Sequence, residues 1–229
     1  MALLEFTTSA KIANQADTTR TRNMAKRRDG ILREARAMMA ASGFEALKVR
    51  DLADQAGLTV PTIYNLIGSK SEILRILISD LVTHLQIIQD QSTSSSVETS
   101  FATQINALAD YFATDEAYFR AAFVAGDRSG LFEQSSEQGI YAHFVQQPIQ
   151  ACAQAINQGL LRGNIPAQIL GQQVYGSYRL ARQDWANGYF ALDRFKSQAL
   201  TGVFLCLAAD AKPAFRDRLL QQIESLSAS

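Results

Sequence analysis

From Val49 to Leu74 the chain reads VRDLADQAGLTVPTIYNLIGSKSEIL, and no other stretch restricts its fold as tightly. Val49, Leu52, Ala53 and Ala56 recur at i, i+3, i+4 and i+7, the spacing of one helical face. Gly57 follows the last of them, where a left-handed C-cap costs glycine least. Thr59 is placed as the N-cap of a second helix, and Pro61 falls in its first turn, where a missing N–H does no harm. Ile63, Leu66 and Ile67 form the inward stripe of that helix, leaving Pro61, Thr62, Tyr64 and Asn65 outside. Two short helices about a tight turn, the second presenting short polar groups and one aromatic, make a helix-turn-helix.

The continuation is as regular. Ser69-Lys70-Ser71-Glu72 has the S-x-x-E form of a capping box directly ahead of an apolar run. The spacing predicts a long helix with Ile73, Ile76, Leu77, Leu81, Leu85 and Ile88 on one stripe. It starts beside the helix-turn-helix and ends beyond it, so it links that module to the C-terminal two thirds of the chain. Upstream, Ile31, Leu32, Ala35, Met38, Met39 and Ser42 line one face of a helix from Lys26 to Ser42. Gly43 ends this helix, and Phe44 is placed to plug the small core. Lys26, Arg27, Arg28, Arg33 and Arg36 fall on the other face, either against phosphates or as a solvated charged surface. Residues 1–24 are polar without pattern and read as a mobile arm. Its Arg20 and Arg22 either reach into a minor groove or stay solvated.

Val49, Arg50, Leu52-Ala53, Ala56-Gly57, Thr62-Ile63-Tyr64 and Ser69-Lys70 with Glu72 together follow the pattern of one family. The stretch resembles the DNA-binding core of the TetR (tetracycline repressor-like) transcriptional regulators. The match runs back through Phe44 and the preceding helix, the first third of the chain. The resemblance implies an all-α protein with a helix-turn-helix DNA-binding domain at 25–70 and an effector-binding and dimerisation domain at 71–229. It further implies a dimeric repressor in a bacterial cytoplasm, nucleoid-associated when bound, and released from a pseudo-palindromic operator by a small, largely apolar effector. Arg50 is then placed at a base, most naturally guanine O6/N7. Val60, Pro61, Thr62 and Asn65 face base edges, and Lys48, Thr59, Tyr64 and Lys70 hold phosphates. Thr59 also fits a role as cap alone, and Pro61 a role in the turn alone. Many relatives carry Lys or Gly at the positions of Val60 and Pro61, and an aromatic or His pair at Asn65-Leu66, so the target sequence is not inherited with the pattern.

A formal net charge of zero would ordinarily argue against a nucleic-acid partner, but the charge is unevenly spread. Residues 1–80 hold 12 Lys+Arg against 9 Asp+Glu, and residues 20–50 hold 9 against 3. The basic excess therefore sits beside the helix-turn-helix. Cys152 and Cys206 lie far apart in apolar helical contexts and read as buried free thiols. No segment reaches the apolar length of a membrane span, and no signal-peptide core opens the sequence. Neither cofactor nor metal is expected.

With 229 residues, 47% of them hydrophobic, and no alternating β-type runs, the remainder reads as a series of helices. Gln91–Ser96 is a loop, Thr114 a cap, Gly126 a helix end, Pro148 a break or kink, and Gly130–Gly139 is unassigned. Two long helices span about Pro166–Asn187 and Asp193–Ala211, with a short one after Pro213. From Ala199 to Ala209 only Thr201 is polar, and a helix apolar all round must be covered all round. The preceding helix offers Leu170, Val174, Tyr178, Ala181 and Trp185 on one stripe. With Val203 and Cys206, these are expected to form a two-fold dimer interface of four helices. Aromatic residues, Phe119, Phe123 and Tyr175 among them, exceed what a minimal helical core requires and suggest an effector pocket. His84, His143 and Arg179 are its polar candidates, each more readily read as an ordinary structural histidine or surface arginine. An all-α enzyme on apolar substrates lacks every usual signature here: no HExxH, no phosphate loop and no nucleophile elbow. Control by a protein partner in place of a ligand stays open.

Overall fold

The computed structural model describes residues 4–92, 96–132 and 140–227, with side chains from residue 21 onward. These residues form ten helices and no strand, in two compact units, Met1–Leu77 and Ile78–Ser229. The chain is all-α.

The first unit contains α1 (Leu4–Ala46), α2 (Val49–Gln55), α3 (Val60–Leu66) and the start of α4 (Lys70–Gln91). Residues 4–24 are helical, where the sequence reading has a patternless arm. No glycine or proline precedes Gly30, so nothing in the backbone stops the helix from running that far back. Its apolar side is buried through Ile31, Ala35 and Met39. At Gly43 the backbone turns to φ 78°, and the helical direction is lost there, as expected of that residue. Leu47, Leu52, Ala53, Ile63 and Ile67 complete a core in which every member is under one-tenth exposed.

In the second unit α4 is followed by α5 (Val97–Ala113), α6 (Glu116–Arg128), α7 (Ile140–Asn157), α8 (Ala167–Ala186), α9 (Leu192–Asp210) and α10 (Pro213–Ser227). Several boundaries differ from those read off the sequence. Asp115, not Thr114, caps α6, its Oδ1 accepting from the Tyr118 N–H at 3.4 Å, while Thr114 closes α5. A carboxylate at this position also complements the positive helix end. Helix α6 runs two residues past Gly126, because Gly126 is there for space: a Cβ on it would lie 2.1 Å from the Phe132 ring. Pro148 sits inside α7 without ending it. Helix α10 has 15 residues, so it is not short. Of the unassigned segment, 133–139 lies outside the described residues, as does part of the expected Gln91–Ser96 loop.

Trp185 is the centre of this unit. It is fully buried, stacks on Phe112 at 5.0 Å, and donates from Nε1 to Glu116 Oε1 at 3.0 Å. Arg120 ties the end of α8 to α6, donating to the Trp185 carbonyl at 2.7 Å and the Phe190 carbonyl at 3.2 Å. A buried carboxylate, Asp210, accepts from the backbone N–H groups of Gly163 (2.8 Å) and Asn164 (3.1 Å) and so fastens the α7–α8 connection to the end of α9. Helices α7 and α8 cross where Gly171 lacks a side chain: a Cβ there would lie 2.5 Å from the Ile149 Cα.

Candidate DNA-reading surface and ligand cavity

The turn between α2 and α3 is a Schellman ending. Leu58 N–H bonds the Ala53 carbonyl at 2.9 Å, Gly57 N–H bonds the Asp54 carbonyl at 3.2 Å, and Gly57 takes φ 64°. Helix α3 then starts from an extended Thr59 with Pro61 in its first turn. The Thr59 hydroxyl makes no cap bond to the backbone; it pairs with the Thr62 hydroxyl at 2.8 Å. Ile63 and Ile67 anchor the helix inward, and Leu66 is half-buried. Pro61, Asn65 and Tyr64 (53% exposed) face outward, with Val60 and Thr62 partly exposed beside them. Lys48, Arg50 and Thr59 are exposed as well. An exposed large aromatic among short polar groups, on a helix pinned by two isoleucines, is a surface built to touch something.

Lys70 and Arg28 each bond a backbone carbonyl within the unit. Lys70 donates from Nζ to the Glu45 carbonyl at 2.9 Å and lies 4.7 Å over the Phe44 ring. It therefore fastens the start of α4 to the end of α1, a structural role beside the phosphate contact expected of it. Arg28 donates to the Leu66 carbonyl at 3.2 Å, satisfying one of the last carbonyls of α3. Sequence spacing gave no hint of that pair, which is 38 residues apart. The capping box is half formed: Glu72 N–H bonds Ser69 Oγ at 3.3 Å, but the Glu72 carboxylate turns to Arg75. That contact holds the Glu72 carboxyl below its ordinary value.

The second unit contains a cavity of about 730 Å³ including its mouth. Leu85 and Gln89 of α4, Phe101, Ile105 and Leu108 of α5, Phe144 and Pro148 of α7, and Val203 of α9 supply most of its wall. Helix α8 contributes Val174, Tyr175, Tyr178, Arg179 and Arg182. Burial pushes the phenols of Tyr175 and Tyr178 above their ordinary value, so both stay neutral. Of the residues expected in a pocket, Phe123, Tyr175 and Arg179 line it. Phe119 is buried in the aromatic cluster around Phe112. His84 is exposed, its Nδ1 2.8 Å from the Asp80 carbonyl and its ring stacked on Tyr111; His143 is exposed on α7. Neither is part of the cavity wall.

The expected dimer stripe is also placed differently. Leu170, Val174, Ala181, Trp185 and Val203 are buried within the chain itself, and Val174, Tyr178 and Val203 line the cavity. An apolar stripe on α8 has two possible covers, and here the chain's own helices supply it. The outward faces of α8 and α9 instead show Ile169 (51% exposed), Leu180 (60%) and Leu205 (52%), with Cys206 half-buried next to them. Helix α9, apolar all round from Ala199 to Ala209, packs against α5, α8 and α10 and leaves Leu205 exposed. Cys152 is fully buried; its burial, with a smaller effect from Cys206, pushes its thiol up to about 12. Among the described residues no group of His, Cys, Asp and Glu is arranged to hold a metal, and no helix is long and apolar enough to cross a membrane.

Residues 31–76 match the family model described as bacterial regulatory proteins, tetR family. Over this N-terminal stretch the chain is similar to the tetR family of bacterial regulatory proteins. Solved structures share the fold across both units. SmeT, the repressor of the Stenotrophomonas maltophilia multidrug efflux pump SmeDEF, aligns with a TM-score of 0.61 at 20% identity over 82% of this chain and 92% of that one. The TetR-family regulator PfmR of Thermus thermophilus aligns at 0.56 and 22% identity over 77% of this chain and 96% of that one. The fatty acid degradation regulator FadR of Bacillus halodurans aligns at 0.60 and 17% over 79% of this chain and 94% of that one. No curated protein matches the sequence. The TetR match covers α2, α3 and the start of α4, the same elements that hold Tyr64 and its neighbours outward.

Proposed function

We propose that two copies of this chain bind a pseudo-palindromic duplex, each inserting α3 into a major groove, and that a small apolar molecule in the second unit releases them as an inducer releases a repressor. The observation that carries the reading is the outward face of α3, where Tyr64, Asn65 and Pro61 stand exposed while Ile63 and Ile67 lock the helix from behind. Arg50, Val60, Pro61, Thr62 and Asn65 address bases; Lys48, Thr59, Tyr64 and Lys70 address phosphates, Lys70 in addition to its bond to Glu45.

The uncovered apolar side of α8 and α9 supports self-association, since Ile169, Leu180 and Leu205 would otherwise face water. Two-fold symmetry then asks for half-sites about 34–36 Å apart. Ligand control is supported by α4. Its first turns belong to the unit that holds α3, and its Leu85 and Gln89 line the cavity in the other. A ligand shifts binding only by favouring one of two arrangements of that helix, with a typical coupling of about 1–3 kcal/mol. SmeT has been solved as a complex with triclosan, an apolar small molecule, which fits this reading.

Selection from a random duplex library with the full chain tests it. Enrichment of a short inverted repeat, bound by two chains, is the expected result. Binding without sequence preference, or one chain per site, would overturn it.

A further inference from the structure

Arg182 is charged yet only 4% exposed. Its Nη2 donates to Asp127 Oδ1 at 2.9 Å and Oδ2 at 3.3 Å, and its guanidinium lies over the rings of Phe123 (4.5 Å) and Phe132 (5.1 Å). Nη1 is buried with no hydrogen-bond partner among the described residues. A guanidinium is never deprotonated in a protein, so its donors stay in need of acceptors. Native structures rarely bury such a donor unmet, and where they do the exception needs a cause. Arg182 is also part of the cavity wall. Among the described residues, Arg179 is the only other charged member of that wall, and no Asp or Glu belongs to it. Leu85, Phe101, Leu108 and Val203 make much of the rest apolar, with Gln89 and Gln104 as neutral polar groups among them.

We infer that the cavity takes an apolar molecule bearing a single carboxylate, which accepts from Arg182 Nη1 while its apolar body lies along α4, α5 and α9. A carboxylate is favoured over a neutral carbonyl because charge-assisted hydrogen bonds are the stronger kind. A dianion is disfavoured because Arg179 and Arg182 together with Asp127 leave one net positive charge, which offsets one carboxylate and not a second. Among the described residues of the wall, an ammonium ligand meets two arginines and no acid. The inference rests on the cavity being the effector site, and it specifies the chemistry that site selects.

Calorimetric titration with 4-phenylbutyrate, its methyl ester, 4-phenyl-1-butanol and 4-phenylbutylamine tests it, using the full chain. The acid is expected to bind at least tenfold more tightly than ester or alcohol, and the amine not at all. In R182M the advantage of the acid should fall to within twofold while alcohol affinity is kept. Should R182M fail to fold because Asp127 loses its partner, the D127N/R182M pair removes both charges and carries the same expectation. V203F, which fills the cavity, should abolish binding of all three uncharged or acidic ligands. Equal binding of acid, ester and alcohol by the wild type, or an acid advantage that survives in R182M, would overturn this inference and leave the effector-cavity reading intact. Failure of acid, ester and alcohol alike to bind would overturn both.

Discussion

Arg50, Lys48 and Lys70 look interchangeable as cations, yet the proposed function gives them different work. Arg50 is exposed on α2, and its replacement by Ala should relax preference at one base step at a cost of about 1–3 kcal/mol. Lys48→Ala should weaken all duplexes alike and lower the salt slope by about one. Band-shift titrations of both variants over a salt series distinguish the two behaviours. Lys70 also bonds Glu45, so its removal should lower the unfolding temperature as well, which the sequence pattern alone does not indicate. Gly171→Ala would bring a Cβ within 2.5 Å of the Ile149 backbone, which cannot swing aside as a side chain can. Overpacking of this kind costs about 1–3 kcal/mol, enough to outweigh the helix propensity of alanine. Thermal unfolding should show a clear loss; an unchanged midpoint would mean α7 and α8 are farther apart. Glu116 gives a pH signature. Burial acts to raise its carboxyl, but hydrogen bonds from Arg120 and Trp185 outweigh that and hold it below the ordinary 4.5. Its contribution is therefore complete above 4.5 and disappears as pH falls through the lowered folded value. Stability measured between about pH 5 and pH 3 should fall less steeply in E116Q than in the wild type.

Helix by helix, what the sequence disclosed depended on how local the cause was. Helices α2 and α3 were legible almost to the residue, because Gly57, Thr59 and Pro61 punctuate them and Ile63 sets their phase. Residues 4–24 were not: helix persistence there reflects an absence of breakers, which periodicity does not register. On α8 the stripe of Leu170, Val174, Ala181 and Trp185 reads in the sequence as an interface with a second copy. These residues are instead buried in the chain by itself, and sequence has no means of saying which cover applies. The chain's own α6, α7 and α9 could cover it as well as a second copy. Arg182 escaped notice for the same reason, since a charge at the edge of an apolar stripe reads as solvent-facing until Asp127, 55 residues away, is seen to meet it. Among the described residues of α8 and α9, the large apolar groups left exposed for the proposed self-association are Ile169, Leu180 and Leu205. Placing charge on both helices, L180E/L205E, removes apolar area without touching the core. Sedimentation should then find a monomer, with duplex affinity reduced at least a hundredfold; an unaltered dimer would move the interface elsewhere.

Across the whole molecule, opposite requirements are separated along the chain. Residues 20–50 carry most of the basic excess next to α2 and α3, while the aromatic and apolar surplus lies in the second unit around Trp185 and the cavity. A net charge of zero conceals this division, which is why the balance of the whole chain misleads and its distribution does not. The likeness to solved structures shows the fold, whereas the bases that Val60, Pro61 and Asn65 are proposed to read and the ligand proposed for Arg182 depend on this chain's own side chains. The most direct test of duplicated reading by α3 is to insert five base pairs, about half a helical turn, between the half-sites of the selected duplex and titrate again. Two recognition helices held at one fixed separation would then face opposite sides of the DNA, and affinity should fall at least a hundredfold. Undiminished affinity for the lengthened duplex would contradict the account.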